Sequence, residues 1–159
     1  RASATRRPGA PPPLPLETVV SSPRPLARPV RYFHGGVPGL APGGLLLPPE
    51  TTGVERTLTA DVLDMGGVAR RDRVYVTTGR EVARVYAALH PDGALYEVEP
   101  VGELVPDADC HVPGVSFECP QARVVRVVDP VVLERARPFE AWLRKLDRAT
   151  DEAGRAVAS

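Results

Sequence analysis

The sequence predicts an α+β fold built on a sheet of short strands. Segments with strand character are brief and separated by long loops, and only two stretches carry helical periodicity, one internal and one near the carboxy terminus. The regular strand-helix alternation of a parallel α/β sheet is therefore missing. At 159 residues with 43% hydrophobic content, the chain has the size of one domain with a modest core.

The chain opens on a different composition. Residues 1 to 31 hold eight of the nineteen prolines, including Pro11-Pro12-Pro13, and six Arg against one Glu. Proline lacks the donor that a ladder or a helix interior needs, so residues 1–29 are expected to be a flexible or polyproline-like arm and residues 30–159 the folded domain. The formal charge of the whole is zero, which removes any argument for nucleic-acid binding from net charge. Neither a membrane-length apolar run nor a signal-type apolar region is present, and the expected setting is the bacterial cytoplasm. Cys110 and Cys119 could form a bridge if their strands return on each other, a point the sequence leaves open. Two thiols without a nearby ligand pair make a poor zinc site, so no metal is expected.

The elements follow from local pattern. Val30, Tyr32 and His34 alternate with Arg31 and Phe33 as a first strand, which Gly35-Gly36 is expected to end. Gly39 to Pro49 reads as a Gly/Pro-punctuated loop. Glu50 to Arg73 is poorly periodic, with one helical turn expected at Asp61 to Met65. Arg73 to Thr78 is rich in strand-favouring residues. Gly79 precedes a helix from Arg80 to Leu89, in which Val82, Val85, Tyr86 and Leu89 share one face. His90-Pro91-Asp92-Gly93 is a turn, Ala94 to Pro100 a strand, and Val101 to Gly114 a long loop. Ser116 to Cys119 and Ala122 to Val128 are two more strands. A helix from Glu134 to about Ala156 packs through Phe139, Trp142, Leu143 and Leu146.

Three residues stand where chemistry could sit: His34 at a strand end before two glycines, Tyr75 on an inner strand, and Asp107 on a loop. Each also has an ordinary reading, as a satisfied strand-end histidine, a core aromatic and a turn acid. Their order and surroundings add more. His34-Gly35, Leu40, Pro42-Gly43, Leu45-Leu46 and Pro48 follow the pattern H-G-x4-L-x-P-G-x-L-L-x-P. Val74-Tyr75-Val76-Thr77 comes next, and Leu95-Tyr96-Glu97-Val98-Glu99-Pro100-Val101-Gly102 then fits I-Y-x-V-E-P-x-G, with Asp107 eight residues beyond Glu99. In this series the chain resembles the rifamycin ADP-ribosyltransferases, over roughly residues 30 to 130.

The resemblance implies an ADP-ribosyltransferase-like split β-sandwich with a short internal helix and a C-terminal helix. It implies an NAD-dependent mono-ADP-ribosyltransferase, with NAD+ as co-substrate and His34, Tyr75 and Asp107 as catalytic residues. His34 would hold ribose hydroxyls, the Gly35 backbone would pair with the nicotinamide carboxamide, Tyr75 would stack on the nicotinamide ring, Thr77 would help bind the dinucleotide, and Asp107 would face the anomeric carbon. The acceptor would be a rifamycin hydroxyl. Gly36, Pro106 and Glu118 replace the Thr, acid and Arg usual at those positions in the family, and the loop between His34 and Tyr75 is longer. These departures leave room for a toxin-type, delivered enzyme modifying a protein or nucleic acid. A non-catalytic NAD-binding module and an RNA 2'-phosphotransferase are the remaining alternatives, the latter without its usual basic residues here.

Overall fold

The computed structural model describes residues 28–54 and 70–159. Most of the proline-rich arm and the expected turn at Asp61 to Met65 lie outside the described residues. The elements are β1 (Tyr32–Gly36), β2 (Leu45–Leu46), α1 (Pro49–Thr52), β3 (Val74–Thr77), α2 (Arg80–Ala88), β4 (Ala94–Val101), β5 (Val105–Pro106), β6 (Ser116–Cys119), β7 (Gln121–Asp129) and α3 (Phe139–Val157). All strands pair antiparallel in one seven-stranded sheet of order β2-β7-β4-β1-β3-β6-β5. The fold is mixed α+β, with a C-terminal helix.

The sheet is unevenly knitted. β1 pairs with β4 through all five of its residues, whereas β1 meets β3 at the single position Phe33↔Thr77. A ladder that closes at one position leaves its strands free to part on either side. Residues of β1 and β3 on either side of that bridge line one cleft.

Two glycines were expected to end β1, yet the strand runs through both, with Gly35↔Leu95 and Gly36↔Ala94 in register. The reason is packing: a Cβ built on Gly35 would lie 1.8 Å from the Ala83 carbonyl oxygen and 2.6 Å from the Ala87 nitrogen. α2 crosses β1 so closely that only glycine fits.

Apolar residues split between the two faces of the sheet by the two-residue strand period. Val74, Val76, Tyr96, Val98, Cys119 and Val124 form the core on one face. On the other, Phe33 and Leu95 pack against Ala83, Ala87 and Val132. α2 buries Val82 and Val85 of the expected face, with Leu89 at its end, together with its own Ala83 and Ala87, while the expected Tyr86 is only half-buried. α3 covers α2 through Trp142, against Val85 and Leu89. Each such side chain contributes about 1.5–3 kcal/mol when fully removed from water. Fully buried Tyr96 donates its hydroxyl to the Val37 carbonyl at 2.8 Å and accepts from the Leu40 N–H at 3.3 Å, which fastens the segment leaving β1 onto the sheet.

Other differences from the sequence expectation have local causes. α3 starts at Phe139 rather than Glu134, because Pro138 sits at its N-cap and a proline pushes the residue before it out of helical geometry. Glu134 instead pairs with Lys145. The stretch expected as a loop from Gly39 holds β2, which pairs with β7, and runs into α1. The long loop from Val101 to Gly114 contains β5, which pairs Pro106 with Phe117 and delivers the chain to Asp107 at the end of a strand. Cys110 and Cys119 are both free thiols, Cys119 buried and donating to the Gln121 carbonyl at 3.0 Å.

Candidate functional site

His34 occupies the β1 side of the cleft. Its Nδ1 lies 2.8 Å from the main-chain oxygen of Tyr75 on β3. A carbonyl oxygen only accepts, so Nδ1 carries the proton and Nε2 is left as a bare acceptor. Burial pushes the His34 pKa below the ordinary 6.5; the bond to the Tyr75 carbonyl works against this, and nearby His90 adds to it. The side chain is therefore a neutral imidazole with one defined tautomer at neutral pH.

Tyr75 stands across the seam, half-buried on β3. Its hydroxyl oxygen accepts the Arg70 N–H at 2.9 Å, and burial raises its pKa above 10.0. Beside it on β6, at the directly opposed position, Glu118 receives the Arg70 guanidinium at 3.1 Å. The carboxylate that stands where the resembled family has an arginine is thus neutralised by a neighbouring arginine.

Asp107 follows β5 directly. Its Oδ2 accepts the Ser116 hydroxyl at 2.8 Å, its Oδ1 accepts the Asp109 N–H at 3.0 Å, and its own N–H donates to the Ser116 carbonyl at 3.1 Å. Two hydrogen bonds fix the plane of a half-buried carboxylate, and a third holds its main chain against β6. The turn-forming bond to Asp109 is the ordinary role of an aspartate after a proline; the Ser116 bond is not local and adds orientation.

All five residues singled out from the sequence line one cleft of about 660 Å³, a volume typical of small-molecule sites: His34, Gly35, Tyr75, Thr77 and Asp107. Two of them also have structural work. The missing side chain of Gly35 serves α2, and the Thr77 Oγ1 accepts the Gly79 N–H at 3.0 Å where α2 begins. Sequence reasoning missed Ser116 as the partner of Asp107. It also missed that Tyr86, His90 and the α3 residues Leu146, Asp147 and Thr150 line the same cleft. The apolar period of α3 marked a packing face, but nothing local in that sequence says that part of the face borders a cleft. Among the described residues no cluster of three or more His, Cys, Asp or Glu is placed to hold a metal, and no helix is long and apolar enough to cross a membrane.

The arrangement offers a neutral acceptor at His34 Nε2, an aromatic ring at Tyr75 and an oriented carboxylate at Asp107 around one cavity. Such a set can hold a sugar hydroxyl, face a flat ring and stabilise developing positive charge. No family model matches the chain, and no curated protein matches it.

Proposed function

We propose that this chain is an NAD-dependent mono-ADP-ribosyltransferase that cleaves the bond between nicotinamide and its ribose and passes ADP-ribose to an acceptor. The observation that carries the reading is the convergence of His34, Tyr75 and Asp107, from three separate strands or strand ends, on a single cleft at the β1–β3 seam.

In this reading His34 Nε2 accepts a hydrogen bond from a ribose hydroxyl and fixes the sugar. The Tyr75 ring faces the nicotinamide. The carbon-nitrogen bond breaks with its electron pair going to the nicotinamide ring, which leaves neutral. Positive charge gathers on the anomeric carbon and ring oxygen, where the Asp107 carboxylate stabilises it. The acceptor oxygen bonds to the anomeric carbon and Asp107 takes its proton. Gly35 and Thr77 line the dinucleotide side, Gly35 through its main chain, and no step requires a metal.

A rifamycin hydroxyl is the first acceptor to test. Incubation of rifampicin with the protein and NAD+, followed by mass spectrometry, should show the drug gaining one ADP-ribose. Consumption of NAD+ by folded protein with the drug unmodified would reject that acceptor. A macromolecular acceptor is the second reading, favoured by the Arg70–Glu118 pair beside Tyr75, which replaces the family's arginine with a neutralised carboxylate. Growth arrest on expression, relieved by Tyr75→Ala, would support it.

A further inference from the structure

Gly36 lies in β1 opposite Ala94, buried, and it is not among the glycines with positive φ, which are Gly39, Gly43, Gly53, Gly102 and Gly114. Its backbone is ordinary strand that any residue adopts, so conformational freedom does not explain a glycine here. Space does. A Cβ built on Gly36 would stand 2.7 Å from His34 Nε2, closer than a carbon tolerates, with Cδ2 in ordinary contact at 3.4 Å, and the three nearest atoms it meets all belong to that imidazole. Gly35 is different in kind, since its Cβ would strike helix backbone.

We propose that Gly36 is a positioning residue: its missing side chain makes the room in which the His34 imidazole lies, holding Nδ1 on the Tyr75 carbonyl and Nε2 free as an acceptor. The catalytic role of that acceptor rests on the function proposed above; the placement of the ring does not. A methyl at position 36 meets only the far end of a side chain that can rotate, so the ring yields and the strand stays. The 2.8 Å bond to Tyr75 is what the rotation breaks.

The test is Gly36→Ala, alone and in a His34→Ala background, read three ways. Nitrogen-15 spectra of the His34 ring should show one Nδ1-protonated tautomer in the parent and its loss in Gly36→Ala, while the amide spectrum keeps the native pattern. NAD+ turnover, as kcat/KM, should fall roughly tenfold or more, the scale of one lost hydrogen bond in the transition state. In the His34→Ala background the same substitution should leave thermal stability unchanged, because there is no ring to displace. An unchanged tautomer in Gly36→Ala, or an equal loss of stability with and without the His34 ring, would overturn the proposal. The spectra and the stability cycle need no NAD+, so they decide on Gly36 even if the protein turns over no NAD+.

Discussion

His34 and Tyr75 are joined side chain to main chain, with His34 Nδ1 2.8 Å from the Tyr75 oxygen, across a seam at which β1 and β3 share only the Phe33↔Thr77 bridge. The bond does two things at once. It links β1 and β3 beside their single ladder position, and it settles which nitrogen of the imidazole is left without a proton.

Protonation of His34 follows from that placement. Its folded pKa lies below the ordinary 6.5, so between the two values the unfolded chain binds a proton that the folded chain does not. Stability is therefore insensitive to this group above 6.5 and falls as the pH drops from 6.5 toward the folded value. NAD+ cleavage should lose activity on an acid limb whose midpoint lies below 6.5, since a protonated Nε2 no longer accepts. A kcat/KM profile would show this, and an acid limb at or above 6.5 would contradict it.

Gly35→Ala is expected to be structural in effect. The new Cβ meets three main-chain atoms of α2, at 1.8, 2.6 and 2.8 Å, and none can rotate away. Overpacking of this kind costs on the order of 3 kcal/mol. Thermal melting should show a drop of several degrees or failure to fold, in contrast to Gly36→Ala one residue on.

Much of this was legible beforehand and some was not, for reasons that differ by residue. β3, α2 and β4 announce themselves through Val74-Tyr75-Val76-Thr77, the Val82/Val85/Leu89 spacing and the Leu95/Tyr96 alternation, because their periodicity is a direct image of two-faced packing. β1 was legible but cut short at Gly35, since a glycine's reason there is the close approach of α2, a tertiary fact. β2 and β5 are two residues each and have no period to read. At the site, His34, Tyr75 and Asp107 came from the order of a resemblance, while Ser116 escaped because its hydroxyl matters only through a carboxylate on another segment.

Ser116→Ala removes the donor to Asp107 Oδ2 and leaves the Asp109 N–H on Oδ1. The carboxylate keeps one anchor and loses its orientation toward the cleft. We expect kcat to fall roughly tenfold with KM for NAD+ little changed, the scale of one charge-assisted hydrogen bond. A KM effect with kcat preserved would place Ser116 in binding instead.

Tyr75 separates ring from hydroxyl. Tyr75→Phe loses the bond from the Arg70 N–H but keeps the ring on the cleft wall, whereas Tyr75→Ala removes both. NAD+ affinity by calorimetry should survive in the first and weaken at least tenfold in the second, as expected when an aromatic contact surface is lost. Equal losses in both would assign the role to the hydroxyl.

The most direct measurement is nicotinamide release from NAD+, followed by chromatography, with the parent protein, His34→Ala and Tyr75→Ala compared at equal folded concentration. The parent should release nicotinamide in a time-dependent way, with a loss on the order of 10² or more in both variants while their melting curves stay cooperative. No nicotinamide from a folded parent supplied with NAD+, rifampicin and cell extract as acceptors, or undiminished release from the His34 and Tyr75 variants, would contradict it.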